Sequence, residues 1–340
     1  MKFLVIGLGS MGKRRVRCLQ ALGFTQICGF DVREDRRKDS EKAYGIKTYS
    51  EISLAIAELQ PDAIIISVPP DVHHYYMKLA IEHKINFFVE ASVVDTDMDL
   101  IKQELAKSNI IAAPSATLSF HPAIKIIADT IRKGKLGKVS NIMLYSGQYL
   151  PDWHTYENVN EYYVSNPETG GGREIVPFEL TWFTDVFGFP QKVCGNVRKT
   201  IDIEGAEKID DTYNCLLDYG AFLASITVDV VSRHATRRLV INGEQKQLVW
   251  DWDYPCVKIY DPEKAQWIEL SYEMNKAAEG YNSNIGENMY IDEIKSFIHA
   301  VQGNTTFVNT MEKDHKVLKL LYAIEESDKT LRYIDVSDNS

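Results

Sequence analysis

The residues best able to move a proton cluster in the middle of the chain. His154 lies in PDWHTYENVNEYY (residues 151–163), and Glu174 and Glu179 lie beyond it in TGGGREIVPFELTW (169–182). An imidazole, with an ordinary pKa near 6.5, can act as a general base at neutral pH. Were a helix to open at the glycines, Glu174 would fall near its start, where the helix dipole favours a carboxylate. Glu179 lacks that help and would hold its proton to higher pH if buried. The plainer reading of the pair is charge complementarity at a helix start plus a surface position. The 151–163 segment has no clean helical or strand period and carries four aromatic residues, Trp153, Tyr156, Tyr162 and Tyr163. Aromatic faces suit the apolar faces of sugar rings, and their polar tips suit hydroxyls. Trp153 and Tyr156 are therefore candidate substrate contacts, with Arg173 in the glycine turn and His121 in SFHP. Alternatively, the loop is anchored on a sheet and His121 only caps the helix that starts at Pro122.

A second kind of chemistry is written at the start of the chain. Residues 7–12 read GLGSMG, a G-x-G-x-x-G directly after a short apolar run. Gly7 permits a tight turn, Gly9 lets the backbone approach a pyrophosphate, and Gly12 lets helix and strand pack closely. Ser10 and Met11 complete the turn, and the helix N-terminus offers N–H groups to an anion. Asp31 follows 19 residues after Gly12, where a carboxylate can accept both ribose hydroxyls of NAD. The following VREDRR leaves NADP open, because Arg33, Arg36 or Arg37 can reach a 2′-phosphate. Further along, residues 87–92 read FFVEAS: an apolar run ends in the carboxylate of Glu90, then in Ala91 and Ser92.

These residues need a frame. Apolar runs at Phe3–Ile6, Gln26–Phe30, Ala63–Val68, Asn86–Val89 and Ile110–Ala113 alternate with amphipathic stretches, which predicts a parallel sheet covered on both faces. After Pro122 one helix leads into long period-two segments with turn residues such as Asn242-Gly243, which predicts a large open antiparallel sheet. Two helical patterns, Asn288–Gln302 and Met311–Asp328, close the chain. The expected organisation is an α/β Rossmann domain over 1–118 and an α+β substrate and oligomerisation domain over 119–340, with its last helices returning toward the first.

Composition narrows the function. The 340 residues carry a formal net charge of −10, which argues against general nucleic-acid binding. No apolar run is long enough to span a bilayer. The five cysteines are scattered without a C-x-x-C pair, so neither a disulfide framework nor a structural metal site is expected, and the chain reads as cytoplasmic.

With these residues in view the chain resembles the Gfo/Idh/MocA oxidoreductases. The resemblance rests on GLGSMGKRR, on ISVPPDVHH, on FHPAIKIIADTIRKGKLGKV, and on DEIKSFIHAVQGN followed by a helix closing on AIEESDKT. It implies a two-domain NAD enzyme acting on a sugar, sugar nucleotide or polyol, with Val68, Pro69 and His73 lining the cofactor strand. In FFVEAS it implies that Glu90 lies near the nicotinamide ribose, while Ala91 and Ser92 stand where the family carries Lys and Pro. Alanine can neither donate, accept nor carry charge. The family's Asp–His helix pair is also missing: its places fall on Ile175 or Val176 and on Phe178, Glu179 or Leu180. The proton partner then has to be His154, Glu174, Glu179 or a tyrosine such as Tyr163. Two other readings stay open, a redox-neutral NAD-dependent sugar lyase or hydrolase and a non-catalytic dinucleotide sensor. The open sheet points to a homodimer or homotetramer.

Overall fold

The structure, a computed structural model, describes residues 1–153, 158–274 and 286–337. It divides into two compact units, one of Met1–Thr117 with Asn288–His315, the other of Leu118–Glu287 with Lys316–Ser340.

The first unit runs β1 (Phe3–Ile6), α1 (Ser10–Ala21), β2 (Ile27–Phe30), α2 (Glu34–Tyr44), β3 (Lys47–Tyr49), α3 (Ile52–Leu59), β4 (Ala63–Ile66), α4 (His73–Glu82), β5 (Asn86–Val89), α5 (Met98–Leu105) and β6 (Ala112–Pro114). Its described strands form one six-stranded parallel sheet in the order β3-β2-β1-β4-β5-β6. Every residue of β1 and β4 is buried, as a strand covered on both faces requires. The order reverses between β1 and β4, so the C-terminal strand ends there form the crevice where doubly wound sheets take their ligands. β3 escapes the sequence pattern. It is three residues long, and of these only Tyr49 is buried, opposite Phe30.

The second unit contains α6 (Pro122–Arg132), β7 (Val139–Tyr149), α7 (Gly172–Phe187), β8 (Lys192–Arg198), β9 (Thr212–Asp218), β10 (Leu223–Asp229), β11 (Val231–Gly243), β12 (Gln247–Asp251), β13 (Cys256–Asp261) and β14 (Gln266–Ser271). The chain then forms α8 (Glu287–Val301), whose residues from Asn288 belong to the first unit, then α9 (Met311–Thr330) and β15 (Ile334–Asp335). The nine described strands are ordered β14-β13-β12-β11-β7-β10-β9-β8-β15. Pairing is antiparallel except between β7 and β10, which run parallel. A parallel neighbour needs a long crossover, and the chain from Tyr149 to Leu223, which includes α7, supplies it. α7 packs on β9 and β10, burying Trp182 and Phe183 completely. The other face of the sheet is half-wet: Met143, Leu216, Leu223 and Trp267 are 44–60% exposed. Among the described residues no helix is long and apolar enough to cross a membrane.

Candidate active site

The glycine turn is built as its spacing demands. Gly7 has φ +87°, and a Cβ there would lie 2.3 Å from the Ser67 carbonyl oxygen. A Cβ on Gly12 would lie 1.7 Å from the Gly7 carbonyl oxygen. These two glycines are required by the chain's own packing. Gly9 differs: a Cβ there would meet only the Arg36 guanidinium, at 3.3 Å. Gly9 is the N-cap of α1 and no side chain caps the helix. Amides that a capping side chain would otherwise satisfy, an open backbone and a helix dipole make a seat for a pyrophosphate, so the residues fit a dinucleotide.

Asp31 follows β2 and is buried. It accepts from the Leu8 amide through Oδ2 (2.7 Å) and from the Arg33 amide through Oδ1 (2.8 Å). The glycine turn and Asp31 are thus tied together. The candidate phosphate-binding cations separate. Arg33 forms a fork on Asp35, at 3.1 and 2.6 Å, and Arg37 donates to the Asp31 and Val32 carbonyls. Arg36 is the one beside Gly9.

The puzzle of FFVEAS resolves into an ion cluster. Glu90 accepts a two-pronged contact from Arg15, Nε to Oε1 and Nη2 to Oε2, both 2.7 Å, and a hydroxyl from Ser67 at 2.9 Å. Arg15 also donates through Nη1 to Glu293 at 2.8 Å. Burial works against the Arg15 charge, yet Glu90 and Glu293 more than offset this and its pKa is raised. Ala91 is partly exposed and Ser92 buried, so the small residues occupy a crowded strand end. His73 is buried and gives Nε2 to the Val68 carbonyl at 2.9 Å. Burial pushes its pKa down to about 4. It is a neutral staple between α4 and the end of β4, with no ring nitrogen shown reaching the crevice. Val68 is half-buried and Pro69 exposed.

In the second unit Gly170–Gly172 hold the start of α7. A Cβ at Gly170 would lie 2.0 Å from the Val164 carbonyl oxygen, Gly171 has φ +65°, and a Cβ at Gly172 would press on the Tyr213 ring at 2.9 Å. This close approach brings Tyr163 onto Glu174. The phenol donates to Glu174 Oε1 at 2.6 Å, while Oε2 is buried with no hydrogen-bond partner among the described residues. Burial raises the Glu174 pKa to about 7, against the lowering effect of the Tyr163 bond. The helix dipole that favours a charged Glu174 is outweighed by desolvation.

The other candidates have different places. Glu179 is wholly buried, its Oε1 taken by Ser146 (2.8 Å) and Arg237 (2.8 Å from Nε) and its Oε2 by Trp182 Nε1 (2.7 Å). That is a structural ion pair, not the surface carboxylate of the plainer reading. His121 accepts from the Ala123 amide at 3.1 Å and caps α6, between the Trp250 and Tyr272 rings. Burial first, then Arg237 and Lys125, push its pKa down to about 3. Arg173 donates to Glu325 (2.6 Å) and to the Glu168 carbonyl. The Trp153 indole nitrogen is buried without a partner among the described residues. His154 and Tyr156 lie outside the described residues. Sequence reasoning passed over Arg15, Glu293 and Arg237. Their only signal was charge on apolar-patterned segments, because the partners lie 75, 278 and 58 residues away.

Comparison with known proteins identifies the fold and the family. A family model described as "Oxidoreductase family, NAD-binding Rossmann fold" matches residues 1–108, and the "GFO/IDH/MocA C-terminal domain" matches residues 124–249. No curated protein matches the chain in sequence. Among solved structures it is similar to a levoglucosan dehydrogenase in complex with NADH and levoglucosan (TM-score 0.85, 14% identity, 99% of each chain covered). It is also similar to an oxidoreductase of Agrobacterium radiobacter in complex with NAD+, L-tartaric acid and magnesium (0.83, 12%, 99% of each), and to an oxidoreductase domain protein of Kribbella flavida (0.84, 15%, 99% of each). At these identities the structures share the fold, while the two matched domains carry the assignment: the chain belongs to the Gfo/Idh/MocA family of NAD-binding oxidoreductases.

Proposed function

We propose that the protein is an NAD-dependent dehydrogenase that oxidises a carbinol carbon of a sugar, sugar nucleotide or polyol, or reduces the matching carbonyl, with Glu174 as the proton carrier. Gly7, Gly9, Ser10, Met11 and Gly12 would hold the pyrophosphate, Asp31 the adenosine ribose, and Val68, Pro69, Glu90 and Ala91 the nicotinamide end. NAD, when bound, supplies a hydride acceptor at C4 of the nicotinamide. The chain's own part is the proton. Such a reaction needs a group that takes the hydroxyl proton in oxidation and returns it in reduction, and Glu174 is the residue we assign to that role. The observation that carries this reading is the Glu174–Tyr163 pair, an oxygen with no described partner on a carboxyl that titrates near neutrality, where an acid–base group works best. Tyr163 steadies the carboxylate once it is formed. The sugar class draws support from the bound levoglucosan of one structural relative and from the aromatic stretch at Trp153, Tyr162 and Tyr163.

The test is NADH formation against a panel of sugars, sugar nucleotides and polyols. Wild type should turn over at least one, and Glu174→Gln should lose about 10²–10⁴-fold in rate with the substrate still bound. Turnover equal in wild type and Glu174→Gln would remove Glu174 from the chemistry. NAD binding with no turnover of any substrate would favour a dinucleotide sensor. Substrate conversion without net NADH would favour a redox-neutral lyase or hydrolase.

The exposed row of Met143, Leu216 and Leu223 supports a second reading, that copies of the chain meet on this sheet face as a homodimer or homotetramer. Light scattering should show an oligomer in wild type and dissociation in Met143→Glu/Leu216→Glu; a monomeric wild type would refute it.

A further inference from the structure

We propose that Arg15, anchored by Glu293, is a positioning residue that fixes the Glu90 carboxylate at the nicotinamide end of the dinucleotide site. The inference rests on the reading that the first unit binds NAD.

The sheet order gives the direction. Asp31 follows β2 on one side of the β1–β4 reversal, and Ser67 and Glu90 follow β4 and β5 on the other. A dinucleotide lying across that reversal places its adenosine over the first side and its second nucleoside over the other. Glu90 is an ionisable group at that second end, with its side chain 14% exposed. Arg15 and Glu293 are both 0% exposed at the side chain, so neither is placed to touch a ligand, and Arg15 reaches the site through Glu90.

The bonding pattern assigns the roles. Glu293 is saturated: it accepts from Arg15 Nη1 (2.8 Å), Ser115 Oγ (2.9 Å), the Ala116 amide (2.6 Å) and Thr117 Oγ1 (2.8 Å). It is an anchor with no acceptor direction left. Arg15 is gripped by that anchor and lies over the Phe88 ring at 4.5 Å and near the Tyr290 ring at 5.3 Å, which sets the guanidinium plane. Its remaining fork meets both oxygens of Glu90. A two-pronged contact fixes the carboxylate's plane as well as its place. Oε1 takes two donors, whereas Oε2 takes only one Arg15 N–H. A carboxylate oxygen has about two acceptor directions, so Oε2 keeps one for a ligand hydroxyl. A lysine at position 15 would hold the charge and lose the fork.

The test separates the two ends of the ligand. Binding of NADH, by energy transfer from tryptophan, is compared with binding of ADP, by calorimetry; ADP carries the adenosine and two phosphates and no nicotinamide riboside. Arg15→Met would strand two buried carboxylates and threaten the fold, so Arg15→Lys and Glu293→Gln are used, with thermal unfolding of each free protein as the check. Arg15→Lys should bind NADH about tenfold more weakly, the loss of one hydrogen bond to a charged group, and ADP within about twofold of wild type. Glu293→Gln should shift the same way by less. Adding Arg15→Lys to Glu90→Gln should cost nothing further in NADH affinity, since Arg15 acts through Glu90. Equal weakening of NADH and ADP, or no weakening of either in a folded Arg15→Lys, would overturn the positioning role. A wild-type protein that binds neither ligand would overturn the dinucleotide reading itself, and the inference with it.

Discussion

Glu174→Gln tests the acid–base reading without a known substrate, through stability. In the folded protein burial carries the Glu174 pKa from the ordinary 4.5 up to about 7. Between those values the folded state holds a proton that the unfolded state has released. Unfolding therefore sheds protons, and stability falls as pH rises, beginning near 4.5 and levelling above 7. A span of about 2.5 pH units at about 1.4 kcal/mol each sets an upper limit of about 3.5 kcal/mol. The residue as a whole is half-buried, so about 2 kcal/mol is the working figure. Glutamine keeps an oxygen for the Tyr163 hydroxyl and cannot ionise. Relative to wild type, Glu174→Gln should gain only about 0.5 kcal/mol at pH 5 and about 2 kcal/mol at pH 8. That corresponds to roughly 4–8 °C in Tm for a domain of 150–250 residues. Scanning calorimetry of both proteins from pH 5 to 8 reads this directly, and the difference between the curves cancels titrations elsewhere. Parallel curves across the range would refute the buried, proton-holding carboxyl.

Three further outcomes follow from the same contacts. Gly9→Val fills the space above the glycine turn and should abolish NADH binding while leaving the melting temperature within a few degrees, checked by fluorescence titration and thermal melts. Ala91→Lys should give no gain in activity and weaker NADH binding, because a second cation beside Glu90 competes with the Arg15 fork for its oxygens; a large rise in dehydrogenase rate would contradict this. Arg237→Met leaves the buried Glu179 carboxyl with only Ser146 and Trp182 as donors, and should destabilise the second unit by about 3–5 kcal/mol in urea denaturation.

The sequence was most legible where one residue type has one physical use. Gly7 and Gly12 are required by their own carbonyl neighbours, and continuous apolar strands such as FLVI read directly as a two-sided parallel sheet. Pro122 after His121 marked a helix start, and His121 is its cap. Legibility failed where the meaning of a residue depends on a distant partner. Glu179 read as either a proton carrier or a surface carboxylate, because its partner Arg237 stands 58 residues away on β11. The parallel β7–β10 pair was invisible because period-two patterning is the same in either direction. For Glu90 the resemblance implied a ribose neighbour, but the Arg15 fork that occupies most of its acceptors leaves no local trace in FFVEAS.

The Glu293 anchor has a consequence for how the chain is made. Arg15 and Glu90 emerge from the ribosome early, in the same stretch of 117 residues that forms the parallel sheet. Glu293, which neutralises the far end of Arg15 and receives Ser115, Ala116 and Thr117, is synthesised only after the whole second sheet. At ordinary translation speeds that interval is on the order of ten seconds or more, far longer than a sheet of this size needs to collapse. During it the sheet's open end carries a guanidinium satisfied on one side, and strand ends whose donors have only water. Nucleotide captured from the cell at that stage would meet a site with its second end still unset. The N-terminal segment expressed alone should thus resemble an arrested nascent chain, complete in its strands and unfinished at the position where Glu90 is held.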